Sequence, residues 1–457
     1  MKKKTIPMLV MFSMVCACSR LEIPAQFVNT PTAPMTPTQT PRPTPIRPTI
    51  TPTPTFTPRP LPTIDAVAGC VDEIGCAVIA PDEPIHIAYI LSMSGQADEL
   101  GEVSKGGIEI AIDDHGGRLL GHDILLTGED TECSLGGGQI AAFSVASDPT
   151  TLGVIGTNCS ESALRALSTI NKAGLVMLSP SNTNPELTLV YNSWQPGYYR
   201  IAHTDLLEAT LAAEFAFHEL GARTAATIQD GSSFSEGLQR QFVYRFRELG
   251  GTITSQGTIR KGDLDMRNAL AIAAAREPDV LYFPIFESEG IRIVTQASNH
   301  SGLNNTVLLS ADGLMLSSFP KKAGVDAIGM VLSGPYVHGE AFEALQEKWD
   351  AKFRTNPPNL YYAFAYDATN LLLSAIEKVA AVDGDGNIYI GRQALRDTIS
   401  ATTDFPGITG TLDCSDKDSP IFGTGRGDCA SGESLAIFEI TQGETQGRWP
   451  PKAIYPP

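Results

Sequence analysis

What this 457-residue sequence lacks narrows its role before any motif is read. Basic residues are scarce: 33 lysines and arginines stand against 51 aspartates and glutamates, a formal net charge of -18. Loss of Lys2, Lys3 and Lys4 with a leader would remove three further positive charges. Such a surface repels nucleic acid and anionic membrane, so no nucleic-acid partner is expected. Apolar runs long enough to span a bilayer are missing as well, which restricts any membrane attachment to a lipid at one end. No close CxxC pair occurs, and His203, His218 and His338 sit in unrelated contexts, so neither a metal cluster nor a nucleophile with its base is evident. Gly136, Gly137 and Gly138 lack the lysine of a phosphate loop. The expectation is a chain without cofactor or metal that is not an enzyme.

The N-terminus carries what export requires. Lys2, Lys3 and Lys4 precede a short apolar stretch over 6–15, and small residues lead to a cysteine. The tetrad Val15-Cys16-Ala17-Cys18 resembles a bacterial lipoprotein signal, which makes 1–17 a signal peptide and Cys18 the lipidated first residue of the mature chain. Setting Cys16 and Cys18 aside leaves Cys70, Cys76, Cys133, Cys159, Cys414 and Cys429, an even number that suggests disulfides in an exported protein. Sequential pairing, Cys70 with Cys76, Cys133 with Cys159 and Cys414 with Cys429, is preferred among the arrangements open to six cysteines.

Between 30 and 63 the chain is almost entirely proline and threonine, with Arg42, Arg47 and Arg59 its only charges. Such a tract buries no core and stays extended at roughly 3.1 Å per residue. The segment 18–66 therefore reads as a disordered linker, a stalk between a lipid anchor and the folded part. A short disulfide-containing lead-in is expected over 67–84.

A regular alternation begins at residue 85. Strands are expected over 85–91, 123–127, 152–155 and 175–178, with helices over 106–113, 139–146 and 160–172. A second series follows, with strands over 225–228, 252–258, 280–283 and 306–309 and helices over 236–249, 264–275 and 290–299. Repeated βα units make parallel sheets covered on both faces, and the length suits two lobes with a cleft between them. The fold class is thus α/β, two Rossmann-like lobes. Open sheets of this kind bind ligands beyond the carboxyl ends of their strands, where strand order reverses.

Two loops in that position carry hydroxyls. Gly156-Thr157-Asn158-Cys159-Ser160-Glu161 opens a helix with Ser160 as its expected N-cap. In Ser179 through Leu187, Thr183 and Glu186 have capping-box spacing with Pro185 inside the first turn. Two hydroxyl-bearing helix starts on neighbouring strands form a receptor for one carboxylate. Either hydroxyl by itself could equally do no more than cap its helix.

The run from Ile85 to Ile201 resembles the branched-chain amino acid binding proteins, the leucine-binding domain family of type I periplasmic binding proteins. The resemblance lies in Ile87-Ala88-Tyr89-Ile90-Leu91-Ser92-Met93-Ser94-Gly95, in Gly106-Gly107-Ile108-Glu109-Ile110-Ala111-Ile112 and in Ser179 through Leu187, and continues weakly to Gly443. It implies two lobes joined by a three-segment hinge, crossing near Ile201, Pro335 and Thr402, with lobe I formed by 85–201 and 336–402 and lobe II by 202–335 and 403–447. It also implies that Ser160 and Thr183 hold a ligand carboxylate, that the Ser181 carbonyl receives its ammonium, and that Cys133 pairs with Cys159 beside them. From lobe II, Asp312 matches a glutamate that completes the ammonium site, while Phe234 and Phe286 match positions where tyrosine is common. Leu100 replaces an aromatic residue at the pocket floor. The implied protein is a monomeric solute-binding lipoprotein, periplasmic or cell-surface, that delivers an apolar amino acid or related zwitterion to an ABC permease. A ligand-sensing module for a receptor and an amide hydrolase are the alternatives.

Two further signals are set aside on their residues. Asp383-Gly384-Asp385-Gly386-Asn387 resembles half a calcium loop, but Ala394 stands where a bidentate glutamate would be needed, which favours a turn. Arg426-Gly427-Asp428 contains an adhesion-like tripeptide that chance explains well.

Overall fold

The computed structural model describes residues 70–188, 193–415, 426–430 and 434–455. The expected signal peptide, Cys18 and the Pro/Thr tract lie outside the described residues. Among those that are described, no helix is long and apolar enough to cross a membrane.

Two sheets organise the molecule. The first runs in the order Arg118–Leu119, His122–Asp130, Ile85–Leu91, Thr151–Gly156, Val176–Ser179, Tyr198–Arg200. It is parallel apart from the antiparallel pair at its first edge. The second has the order Ala453–Tyr455, Leu435–Glu439, Val331–Pro335, Val307–Ser310, Val280–Tyr282, Thr224–Gln229, Thr252–Thr258, and only Leu435–Glu439 runs antiparallel to its neighbours. Every residue of Thr151–Gly156 and Val176–Ser179 is buried, as strands covered on both faces must be. In each sheet the chain leaves the first strand to one side and returns on the other. The reversals fall between Ile85–Leu91 and Thr151–Gly156 and between Thr224–Gln229 and Val280–Tyr282.

Apolar periodicity finds most elements with shifted ends. The helix expected over 106–113 spans Asp98–Asp114, because its first turns carry Asp98, Glu99, Gly101 and Glu102 and show no apolar stripe. That helix packs closely: a Cβ on Gly101 would come within 1.8 Å of the Ser92 carbonyl oxygen, and one on Gly107 within 2.1 Å of that of Tyr362. Glycine at both places lets the helix lie against the end of Ile85–Leu91 and against the helix Tyr361–Val379. The element 160–172 is found as expected, with its apolar residues on one buried stripe.

The C-terminal third departs from expectation. Residues 403–447 were expected with the second lobe, yet the hairpin Phe405–Gly407 and Gly410–Leu412 packs on the first core. Leu412, Cys414 and Cys429 join the cluster that includes Ile87, Leu178 and Leu372. Asp367, buried in the helix Tyr361–Val379, accepts the amides of Ile408 and Thr409 at 2.9 and 2.8 Å and ties the hairpin there. The last crossing therefore lies beyond Cys429 rather than near Thr402, and Ala453–Tyr455, past the expected end at 447, completes the second sheet. The lead-in is also built into the first half: Cys76–Ile79 pairs antiparallel with Ile388–Gly391.

Among the described residues three disulfides are formed, Cys70–Cys76, Cys133–Cys159 and Cys414–Cys429. Asp383 accepts the backbone amides of Asp385 and Asn387 in a turn between Ala380–Val382 and Ile388–Gly391, as the turn reading requires. Asp428, of the adhesion-like tripeptide, is a structural partner: it pairs with the guanidinium of fully buried Arg200, which Thr188 also engages at 2.8 Å.

Candidate functional site

The loops that follow both switch points converge on a cavity of about 330 Å³. Leu100, Ser160, Ser181 and Thr183 from the first half and Phe234, Phe286 and Asp312 from the second all line it. Residues separated by more than two hundred positions in sequence meet there because each follows a strand end.

On the first wall the local chemistry differs from expectation in two details. Ser160 is the first helical residue of Ser160–Lys172; Cys159, which anchors the disulfide to Cys133, occupies the cap position without a side-chain cap. Freed from capping, the Ser160 hydroxyl accepts the Asn184 amide at 3.2 Å. That bond uses a lone pair, so its proton can still be donated into the cavity. Thr183 likewise is no cap. Asn184 caps the short turn Pro185–Leu187, its side-chain oxygen accepting the Glu186 amide at 2.8 Å, the two-residue reach that suits an asparagine. Ser160 and Thr183 thus line one cavity, but only Ser160 stands at an α-helix start, and the Thr183 side chain bonds Asp205.

Asn158, quoted in the sequence without a role, organises this wall. Its side chain accepts the Ser92 amide at 3.0 Å and donates to Ser104 at 2.9 Å and to Ser181 at 3.1 Å, fully buried beneath the loop. The Ser181 hydroxyl in turn donates to the Asn158 carbonyl at 3.1 Å, so that side chain is spent on structure.

The second wall is apolar and then acidic. Phe234 sits in the first turn of Ser233–Glu248, which Ser232 caps by accepting the Ser235 amide at 3.2 Å. Phe286 precedes the helix Glu287–Ala297, and the two rings lie 5.1 Å apart. Gly313 has no room for a side chain, since a Cβ would meet the Ile285 carbonyl at 2.9 Å and Phe234 at 3.3 Å. Asp312, just before it, ends the strand Val307–Ser310 in a short turn through Leu314.

Behind Asp312 lies a group that sequence reading missed. Its amide donates to Glu208 Oε1 at 2.9 Å, and the Ser333 hydroxyl donates to the same oxygen at 2.8 Å. His203 Nε2 lies 3.1 Å from Glu208 Oε2. Tyr361, at the start of Tyr361–Val379 in the first half, donates its hydroxyl to Asp312 Oδ2, a hydrogen bond that spans the cleft. Asp312 Oδ1 is buried without a partner. Burial, and after it the charge of Glu208, push the Asp312 carboxyl up to about 7, while His203 and the Tyr361 bond pull it back. Asp205, fully buried beside them, is raised well above the ordinary range, chiefly by burial.

His203, which stands in no metal-ligand pattern in the sequence, meets two acids in the fold. One ligand atom each of His203, Glu208 and Asp312 lies within 4.8 Å of the others, a spacing that could hold a metal ion. Glu208, however, already receives the Asp312 amide, the Ser333 hydroxyl and His203, which accounts for its position without one. The available signal was the spacing of His203 and Glu208 across the start of the helix after the first crossing; nothing near Tyr361 in sequence points to Asp312.

Comparison with known proteins identifies the family of the chain. Residues 84–424 match the model of a family described as periplasmic binding protein. The leucine-specific-binding protein of Salmonella typhimurium is 26% identical over 306 residues, covering 65% of this chain and 80% of that protein. The Leu/Ile/Val-binding protein of Escherichia coli is 26% identical over 274 residues, 59% of this chain and 72% of its own. Among solved structures, a leucine-binding protein of Thermotoga maritima superposes with a TM-score of 0.69 at 23% identity, covering 82% of this chain and 99% of that one. A branched-chain amino acid transporter substrate-binding protein of Streptococcus pneumoniae, in complex with isoleucine, gives 0.68 at 19%, covering 82% and 100%.

Proposed function

Since the chain belongs to the periplasmic binding protein family, with the type I fold and a substrate-binding role, we propose that it captures a small zwitterion, an amino acid with an apolar side chain, and delivers it to an ABC importer. One observation carries this reading: a single cavity presents hydroxyls on one wall and, on the other, a carboxylate with an unpartnered oxygen beside two phenyl rings. Ser160 and Thr183 donate to the ligand carboxylate, the Ser181 carbonyl and Asp312 receive its ammonium, and Leu100, Phe234 and Phe286 enclose the side chain. Contacts to both halves form together only when the cleft is shut, so ligand stabilises closure and gives a permease something to recognise. No step in this cycle needs catalysis or a cofactor.

Lipid attached to Cys18 and a Pro/Thr stalk would let a monomer of this kind search for ligand while tethered. Cys18→Ala should move the protein from the membrane to the soluble fraction; a variant that stays membrane-bound removes the anchor from the proposal. Titration calorimetry with a panel of amino acids tests the ligand class, with saturable heat expected for aliphatic or aromatic members. An absence of heat with every zwitterion rejects the reading.

A further inference from the structure

Glu208 lies at the meeting point of three parts of the chain. It stands in the first turn and a half of Asp205–Glu214, directly after the first crossing between the sheets. One of its oxygens holds the Asp312 amide and the hydroxyl of Ser333, on the strand Val331–Pro335 that leads to the second crossing; the other faces His203 in the first crossing itself. One oxygen takes two donors and an imidazole nitrogen stands at the other, so both oxygens are engaged, and the charge of Glu208 acts on Asp312. The group is completely buried, and its charge stands behind the very carboxylate that ends in the cavity.

The balance of charge there is unusual. Asp312 is faced by Glu208 and Asp205 from the helix Asp205–Glu214, by His203 from the crossing, by Tyr282 from the second sheet and by Tyr361 from the first half. The nearby guanidinium of Arg200 is already taken by Asp428. Asp98, Glu99, Glu161, Lys261, Glu287 and Lys322 also line the cavity, but all of them are exposed or half-buried and are screened by solvent. Three buried carboxyls therefore share one imidazole; Asp205 is engaged by the Thr183 side chain, while Asp312 Oδ1, His203 Nδ1 and the Tyr282 hydroxyl have no hydrogen-bond partner. An empty cluster of this composition keeps a proton; a cation delivered to Asp312 takes that proton's place.

We propose that Glu208 is a positioning residue that locks Asp312 to the two crossings and that its charge makes capture of an amino group at Asp312 release one proton to solvent. The ammonium part rests on the function proposed above. In the exchange, a protonated Asp312 carboxyl and a ligand ammonium become an ammonium–carboxylate pair plus one proton in solution, so charge and atoms balance. Binding consequently tightens as pH rises through the titration of the empty site, and the hinge senses occupancy because the same oxygen of Glu208 holds both Asp312 and Ser333.

The test has one arm without ligand and one with it. In the empty full-length protein, infrared difference titration should show a carboxyl band that Asp312→Asn abolishes. Glu208→Gln keeps an acceptor for the Asp312 amide and Ser333 but removes the charge, and should move that band to lower pH by about one unit, a tenfold change in proton affinity. His203→Gln, which removes the opposing charge, should move it the other way and serves if Glu208→Gln does not fold. A band that neither variant moves overturns the proposal. In the second arm, leucine is titrated calorimetrically in buffers of different ionisation heat between pH 5.5 and 8.5. Wild type should release a proton on binding, and Glu208→Gln should release less and lose most of the pH dependence. Wild-type binding without proton release also overturns the proposal. Variant-dependent bands without binding of any zwitterion would leave the role of Glu208 standing and reject the ligand class instead.

Discussion

Among single residues, Asp312 carries the sharpest consequence. It was legible as an acid after a strand end, but its protonation is set by burial and then by Glu208 and His203 on one distant segment and Tyr361 on another. Asp312→Ala should cost a zwitterionic ligand about 2–4 kcal/mol, the scale of losing one partner of a buried charge pair, while the deaminated analogue loses little. Calorimetry with the two ligands checks this, and equal losses would remove the ammonium assignment. Ser160 and Thr183 were recognised for their hydroxyls on the expectation that both cap helices. In the fold neither does so, because Cys159 and Asn184 occupy the caps. Identity and position after a strand were readable; the direction of each hydroxyl was not, since it depends on which neighbour satisfies the turn.

Elements show where pattern reading fails. The helix Asp98–Asp114 hides its first turns because Gly101 packs there by close approach while Asp98, Glu99 and Glu102 are exposed or half-buried. Gly107→Ala places a methyl against the Tyr362 carbonyl and should destabilise by about 1–3 kcal/mol, the scale of overpacking, read as a lower denaturation midpoint. The hairpin Phe405–Leu412 is short and interrupted by glycine, and its attachment to the first half rests on Asp367 and on Leu412 in the first core. Burial raises that carboxyl from 3.8 to about 6, hydrogen bonds from Thr409 and Ile408 holding it from going higher. The folded state therefore keeps the Asp367 proton where the unfolded chain has lost it. Its contribution to stability is full below pH 4 and disappears as pH rises through 6. Between pH 4 and 7, wild type should lose about 2 kcal/mol relative to Asp367→Asn, measured as the difference between their denaturant curves.

At the scale of the molecule, disulfides and topology divide the labour. Cys133–Cys159 closes a loop with a sequence separation of 26 beside the cavity. Replacing both cysteines by serine should lower stability by roughly 3 kcal/mol through the freed unfolded chain, a loss that chemical denaturation can measure. A protein that kept its full stability would show that the bond serves the site geometry alone. Alternating βα periodicity and an even set of cysteines were local properties, so the chain order alone determined the sheets and the half-cystines, while Leu100, Phe234, Phe286 and Asp312 were reached only through the family resemblance. Which half the 405–429 segment joins, which side chains stand behind Asp312, and the reach of Tyr361 across the cleft were decided only in three dimensions. Those features depend on long-range packing and on buried charges that offset one another, and neither leaves a period or a spacing in the sequence.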